Sequence, residues 1–212
     1  MRSEMFRGSY LFHLHTTRTD SSLTVDDHFQ FALRAGVDRL LFLEHIRRSP
    51  TYDVVGLAGE VSMHSETSGV SAFLGFETKL LADGTLDIDD QALELASVIG
   101  IAEHGFPDDE HLLVTAFAKV IERYAERSRA FVWVHPGLWF LRHRRPPEAE
   151  PGYREMIACA HEAGVLLERN LRYNLLTEAR AASLPSDDIV LGADAHSLKD
   201  LERWHASLPR SS

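Results

Sequence analysis

Residues that can bind a metal ion or transfer a proton recur at the ends of short apolar segments of this sequence. Seven segments each end in histidines or acidic residues; in chain order these are His13 and His15, His45, Glu77, His104, His135, Glu168, and Asp194 and His196. A buried imidazole or carboxylate costs free energy unless it has a partner, so recurrence at every segment end indicates one shared site. Imidazole and carboxylate ligands together suit Zn, Mn or Fe better than Ca or Mg. The pattern therefore predicts a transition-metal centre.

The spacing within the segments sharpens this prediction. Side chains two residues apart in a strand share a face, so His13 and His15 are expected to bind one metal together. The closing Asp-x-His pair has the same spacing. In Glu44–His45 and Glu103–His104 the neighbours point to opposite faces of a strand, so only one of each pair can face the site. We predict that the two histidines do.

The seven segments are expected to be strands of a parallel sheet, because they are apolar on both faces, as strands covered by helices are. They span residues 10–15, 38–45, 71–77, 95–104, 130–135, 164–170 and 188–196. Helical patterns lie between them, and this alternation is typical of a sheet with crossover helices. In α/β barrels the active site forms at the carboxyl ends of the strands, which is where the polar residues lie.

The predicted helices carry boundary signals of their own. Thr24 and Asp27 have the spacing of a capping box at the start of one helix, and Gly36 closes it. A second helix is predicted from Glu110 to Arg127, where apolar residues recur along one stripe. Ser197 begins the last helix.

Length and composition are those of a globular protein. The chain has 212 residues, 44% of them hydrophobic, and we expect one domain over residues 1–212. The sequence has no apolar run long enough to span a membrane, and its first residues lack the apolar stretch of a secretory signal. The one cysteine, Cys159, suits a reducing compartment, so we expect a cytoplasmic location. The formal net charge of −10 argues against broad non-specific binding to nucleic acid but does not exclude a phosphorylated substrate.

Taken in order, these residues resemble the motifs of the PHP superfamily, named for polymerase and histidinol phosphatase. HLHTTRTDSS (13–22) resembles its opening motif, LFLEH (41–45) its second, GFE (75–77) its third, AEHG (102–105) and VHPG (134–137) its central histidine motifs, and GADAHS (192–197) its closing Asp-x-His. The resemblance extends over residues 10–197. Two positions differ from the usual pattern: Ser21 stands where the family has Gly, and Glu44 stands where Asp is commoner.

The resemblance implies an α/β fold, a distorted (β/α)7 barrel similar to a TIM barrel, with two to three divalent transition metals (Mn, Fe or Zn). The implied ligands are His13, His15, Glu77 and Asp194 for one metal; Glu77, His104 and His135 for a second; and Asp20, His45 and His196 for a third.

The function that the resemblance implies is hydrolysis of a phosphoester. We expect a metal-dependent enzyme, similar to histidinol-phosphate phosphatase, in which a metal-bridged hydroxide attacks a small phosphomonoester, a nucleotide or a short oligonucleotide. Asp194 and His196 would assist proton transfer to the leaving oxygen. Arg47, Arg142 and Arg172, which follow strand ends, would bind phosphate. We expect no membrane contact and no obligate protein partner.

Two other functions remain open. An amidohydrolase-like enzyme for C–N or C–O bonds also begins with His-x-His and ends with a strand-borne Asp, and Lys79 could supply its bridging carboxylated lysine. A lysine two residues beyond Glu77 competes poorly with the glutamate itself. The second alternative is a non-catalytic metal-binding or regulatory domain. Loss of activity usually shows as missing ligands, and none of the nine expected ligands is missing here.

Overall fold

The computed structural model describes residues 5–124 and 129–208, which form an α/β domain. Its strands are β1 (Tyr10–Leu14), β2 (Arg39–Phe42), β3 (Glu44–His45), β4 (Ser71–Phe73), β5 (Gly75–Lys79), β6 (Val98–Ala102), β7 (Ala130–Trp133), β8 (Leu166–Asn170) and β9 (Ile189–Ala195). The α-helices of the described residues are α1 (Val25–Ala35), α2 (Val54–Ser68), α3 (Asp90–Leu95), α4 (Glu110–Tyr124), α5 (Leu138–Arg142), α6 (Pro151–Glu162), α7 (Glu178–Ala181) and α8 (Leu198–Ser207).

Nine strands are seen instead of the predicted seven because two strands are each broken at one residue. Leu43 separates β2 from β3, and Leu74 separates β4 from β5. All neighbours are parallel, in the order β3-β5-β6-β7-β8-β9-β1-β2-β4. The outer strands β3 and β4 continue β2 and β5, so the sheet curls back towards its own start. The fold is therefore TIM-like, but the prediction of a (β/α)7 barrel is wrong in detail. The breaks fall where each strand changes partners in the staggered sheet.

The sheet is buried on both faces, as the apolar strand sequences predict. Successive residues of β2 alternate between two clusters: Leu40 and Phe42 pack with the helices, whereas Leu41 packs on the other face with Leu43 and Val98. The helix-covered cluster is the larger one and contains the apolar stripes of α1, α4 and α8. Both faces are thus filled with apolar side chains, which leaves the strand ends for polar groups.

The boundary signals of α1 and α4 agree with the structure. At the start of α1 the Thr24 hydroxyl accepts from the Asp27 N–H at 3.1 Å, and the Asp27 carboxylate accepts from the Thr24 N–H at 2.8 Å. Gly36 ends the helix with a φ of 68°, a left-handed conformation that glycine adopts at little cost. Helix α4 is seen to Tyr124, and residues 125–127 of the predicted helix lie outside the described residues. No helix in the described ranges has the length and apolar character needed to cross a membrane.

Candidate metal centre

The structure brings all nine expected metal ligands together at the carboxyl ends of the strands. They form four overlapping groups, within each of which one donor atom per residue lies within 4.8 Å of the others: His15, Asp20, His45 and His196; His13, His135 and Asp194; His13, His15 and Glu77; and Glu77, His104 and His135. We call these nine residues the metal cluster. The grouping departs from the implied one in two places: Asp194 groups with His13 and His135, and His15 also reaches the group of Asp20.

Glu77 lies at the centre of the metal cluster. Its Oε2 is 3.1 Å from His13 Nε2 and 3.5 Å from His15 Nε2, and its Oε1 is 3.1 Å from His135 Nε2 and 3.7 Å from His104 Nδ1. Burial alone would raise the pKa of Glu77, but His135 and the other imidazoles outweigh it and hold the pKa well below its usual range. Glu77 is therefore an ionised carboxylate with imidazoles on both oxygens, which is the arrangement of a ligand that bridges two cations.

Three members of the metal cluster have a backbone conformation that is costly for residues other than glycine. The φ angles are 68° at His13, 35° at His135 and 50° at Asp194. Such conformations cost about 1–3 kcal/mol each and persist where the surrounding structure enforces them, often at functional sites. At His13 the strain accompanies a bulge in both ladders of β1. The bulge breaks the strand alternation, so His13 and His15 approach Glu77 for a different reason from the one predicted.

A second carboxylate, Glu168, supports the metal cluster from behind. It is fully buried and accepts three hydrogen bonds: from His13 Nδ1 at 2.6 Å, from the His135 N–H at 2.6 Å and from Asn170 Nδ2 at 3.0 Å. Burial alone would lower the pKa of His13, but the charges of Glu168 and Asp194 outweigh it and raise the pKa well above its usual value. The bond to Nδ1 turns Nε2 of His13 towards Glu77. Carboxylates commonly orient metal-binding histidines in this way.

The buried acids of the two Glu-His pairs support loops, while His45 and His104 lie in the metal cluster. Glu44 accepts from the Thr16 N–H at 2.8 Å and binds the hydroxyl of Thr19 in the loop after β1. Glu103 accepts from Trp133 Nε1 at 2.8 Å and from the Gly137 N–H at 3.0 Å, and burial raises its pKa. Sequence analysis assigned these glutamates no role. Their signal was an acidic residue inside an apolar strand, next to a ligand histidine.

His28 on α1 is a further supporting residue that the sequence did not distinguish from an ordinary helical histidine. It is fully buried, and its Nε2 donates to the carbonyl oxygen of His15 at 2.9 Å. Burial lowers the pKa of His28 to about 4, so its ring is neutral near neutral pH. The bond fixes the backbone of a cluster residue.

The chemistry of the metal cluster fits bound metal ions. Both ring nitrogens of His15, and Nδ1 of His104 and of His135, are buried without a hydrogen-bond partner. Unpaired buried polar atoms cost about 1–3 kcal/mol each, so several at one site call for a ligand. Imidazole nitrogens and carboxylate oxygens in this mixture are the donors that transition metals prefer. These residues could therefore hold metal ions.

A cavity of about 190 Å³ opens onto the metal cluster. Arg142 and Arg172 line its wall, as does Tyr173, whose ring packs edge-on to that of His135 with 5.9 Å between centroids. Arg172 donates to the carbonyl oxygen of Asp194 at 3.3 Å. Two of the three predicted phosphate-binding arginines thus reach the cavity.

The third predicted arginine and the alternative bridging lysine lie elsewhere. Arg47 faces a neighbouring pocket, where its Nε is 3.6 Å from Asp87 Oδ2. Lys79 is absent from the described residues that line the cavity over the cluster. The central position that a carboxylated lysine would take in an amidohydrolase is held by Glu77.

Comparison with known proteins gives one weak similarity to report. No family model matches the chain. The chain is 24% identical over 204 residues to the DNA polymerase/3'-5' exonuclease PolX of Bacillus subtilis (strain 168). The match covers 90% of this chain but 34% of PolX, so the chain spans about a third of that protein's length. The similarity therefore concerns one part of a larger protein.

Proposed function

We propose that this chain is a metal-dependent phosphoesterase of the PHP type that acts on a small phosphomonoester, a nucleotide or a short oligonucleotide. The proposal is carried by one observation: the metal cluster and two guanidinium groups, of Arg142 and Arg172, line the same cavity. Cations and guanidinium groups together bind a phosphoryl group and offset its charge. The similarity to PolX, a polymerase and exonuclease by name, favours a nucleotide or nucleic-acid ester.

Two to three divalent ions, Mn, Fe or Zn, are the expected cofactors. The four groups of the metal cluster supply histidine and carboxylate donors for them, with Glu77 between two of the groups. When bound, such ions polarise phosphoryl oxygens and lower the pKa of water to near neutrality.

Asp194 is the residue that we assign to the attacking water. Its Oδ2 accepts from Asn170 Nδ2 at 3.0 Å, which fixes the carboxylate. Burial alone would raise the pKa of Asp194, but the charges of His13 and His15 outweigh it and lower the pKa. An ionised, oriented carboxylate accepts a hydrogen bond from water and directs a lone pair of the water oxygen at phosphorus. His196 Nδ1, 3.3 Å from Asp194 Oδ1, belongs to a ring near the cavity rim that is placed to protonate the leaving oxygen.

The proposal is tested by replacing Asp194 with asparagine, which keeps the shape of the side chain and removes its charge. Hydrolysis of p-nitrophenyl phosphate and bis(p-nitrophenyl) phosphate is measured with added Mn. We expect the rate to fall by about 10²–10⁴-fold, the usual contribution of a positioned acid–base group. The exposed residue Asp187 provides a matched control, Asp187→Asn, which should keep the wild-type rate. Retained turnover in folded Asp194→Asn, or hydrolysis of nitrophenyl amides alone, would contradict the proposal.

A further inference from the structure

A second pocket adjoins the metal cluster and shares Asp20 and His45 with it. Its volume is about 370 Å³, nearly twice that of the cavity over the cluster, which is about 190 Å³. The smaller cavity has room for a phosphoryl group and little more. An organic group attached to that phosphate must therefore lie beside the cluster, and the second pocket opens at the shared residues.

The wall of this pocket offers flat and apolar surfaces. Ile46, Pro50 and Tyr52 contribute side chains to it. The Tyr52 hydroxyl donates to the carbonyl oxygen of His45 at 2.9 Å, which holds the ring next to a cluster residue. Aromatic rings at such positions stack on planar groups, and every nucleobase has a planar face.

The charges around the pocket favour a neutral ring over a second phosphate. Its two arginines already have acidic neighbours: Arg18 Nη2 is 2.8 Å from Glu60 Oε2, and Arg47 Nε is 3.6 Å from Asp87 Oδ2. Their positive charges are largely offset by these carboxylates, so little remains to bind a further anion. A guanidinium group paired along its edge still presents its flat face, on which a base can stack.

We propose that this pocket binds the nucleoside of a nucleotide whose phosphate lies at the metal cluster. The inference rests on the proposed function, since the phosphate position is that of the scissile ester. It narrows the substrate class from phosphoesters in general to esters of nucleosides.

The test compares two ligands of equal phosphate chemistry, thymidine 5′-monophosphate and methyl phosphate. Their inhibition constants are measured with the Mn-loaded full chain against hydrolysis of whichever nitrophenyl phosphate ester it accepts. Stacking of one base on an aromatic side chain corresponds to about five- to a hundredfold in affinity, so the nucleotide should bind at least about fivefold more tightly. In Tyr52→Ala this preference should disappear. In Tyr52→Phe, which keeps the ring and loses only the bond to His45, the preference should remain.

Arg34, an exposed arginine on α1, supplies the matched control for Arg18. Arg18→Ala should lower the preference for the nucleotide several-fold, and Arg34→Ala should leave it unchanged. Equal affinities in the wild type, or an unchanged preference in Tyr52→Ala, would overturn the inference while phosphoester hydrolysis stands. Absence of hydrolysis would instead contradict the proposed function. The same two ligands are then compared by calorimetric titration, and the ratio of dissociation constants decides about the pocket.

Discussion

Glutamine in place of Glu168 is a change of one atom whose consequence can be worked out from the hydrogen bonds. Oε1 of Glu168 accepts from His13 Nδ1, whereas Oε2 accepts from both the His135 N–H and Asn170 Nδ2. The amide oxygen of glutamine therefore takes the Oε2 position, where two donors point, and the NH₂ group faces His13. His13 Nδ1 then has to accept, so its proton moves to Nε2. A protonated Nε2 can donate to Glu77 but cannot bind a metal ion.

The size of the effect follows from this tautomer change. Removing a partner that orients a ligand histidine typically costs 10–100-fold in metal affinity, or about 1.4–2.7 kcal/mol. The fold without ions should lose less, about 1–2 kcal/mol, because all hydrogen bonds are kept and only their charge assistance is lost. We therefore expect Glu168→Gln to be a folded protein with weakened metal binding.

The assay is calorimetric titration of the ion-free protein with Mn, with the unfolding transition recorded in parallel. Glu178, whose side chain is 84% exposed beside Arg169, provides the control substitution Glu178→Gln, which should bind Mn as the wild type does. If Glu168→Gln bound Mn with wild-type affinity, the tautomer argument would be refuted. If it failed to fold without ions, Glu168 would be a structural rather than an orienting residue.

Three further predictions concern the surroundings of the metal cluster. Gly192→Ala should weaken Mn binding at least as much as Glu168→Gln, because an added Cβ would lie 1.7 Å from Glu168 Oε1; titration checks this. Thr24→Ala should lower the free energy of unfolding by about 1 kcal/mol through loss of the α1 cap, with Mn affinity unchanged, as denaturant unfolding and titration would show. Mn affinity should rise with pH. Burial lowers the pKa values of His13 and His135, but nearby carboxylates outweigh it and raise them, so their protons stabilise the ion-free fold at low pH and are lost as the pH rises through the raised values. Mn must displace these protons, and calorimetry in two buffers measures their release.

The positions of the cluster residues could be predicted because they depend on a simple regularity. Parallel strands of similar length bring their carboxyl ends to one edge, so a polar residue at the end of each apolar segment marks that edge. The capping box of α1 was predictable for a similar reason, since Thr24 and Asp27 interact within one helical turn. In both cases the sequence spacing itself determines the contact.

The supporting contacts could not be predicted because they join distant parts of the chain. His13 and Glu168 are 155 residues apart, and nothing in either segment indicates their hydrogen bond. The bulge at His13 depends on pairing with strands on both sides of β1, so alternation within one strand could not reveal it. The breaks at Leu43 and Leu74 likewise arise from changes of strand partner, which the apolar runs do not encode.

The central claim, that ions held by the metal cluster enable phosphoester hydrolysis, is tested most directly by one titration. Ion-free protein is loaded stepwise with Mn, bound metal is counted by elemental analysis, and hydrolysis of the nitrophenyl phosphate esters is recorded at each step. The account predicts that the rate rises with bound metal and levels off at about two to three ions per chain. Hydrolysis that does not depend on bound metal, or metal binding without any hydrolysis, would contradict it.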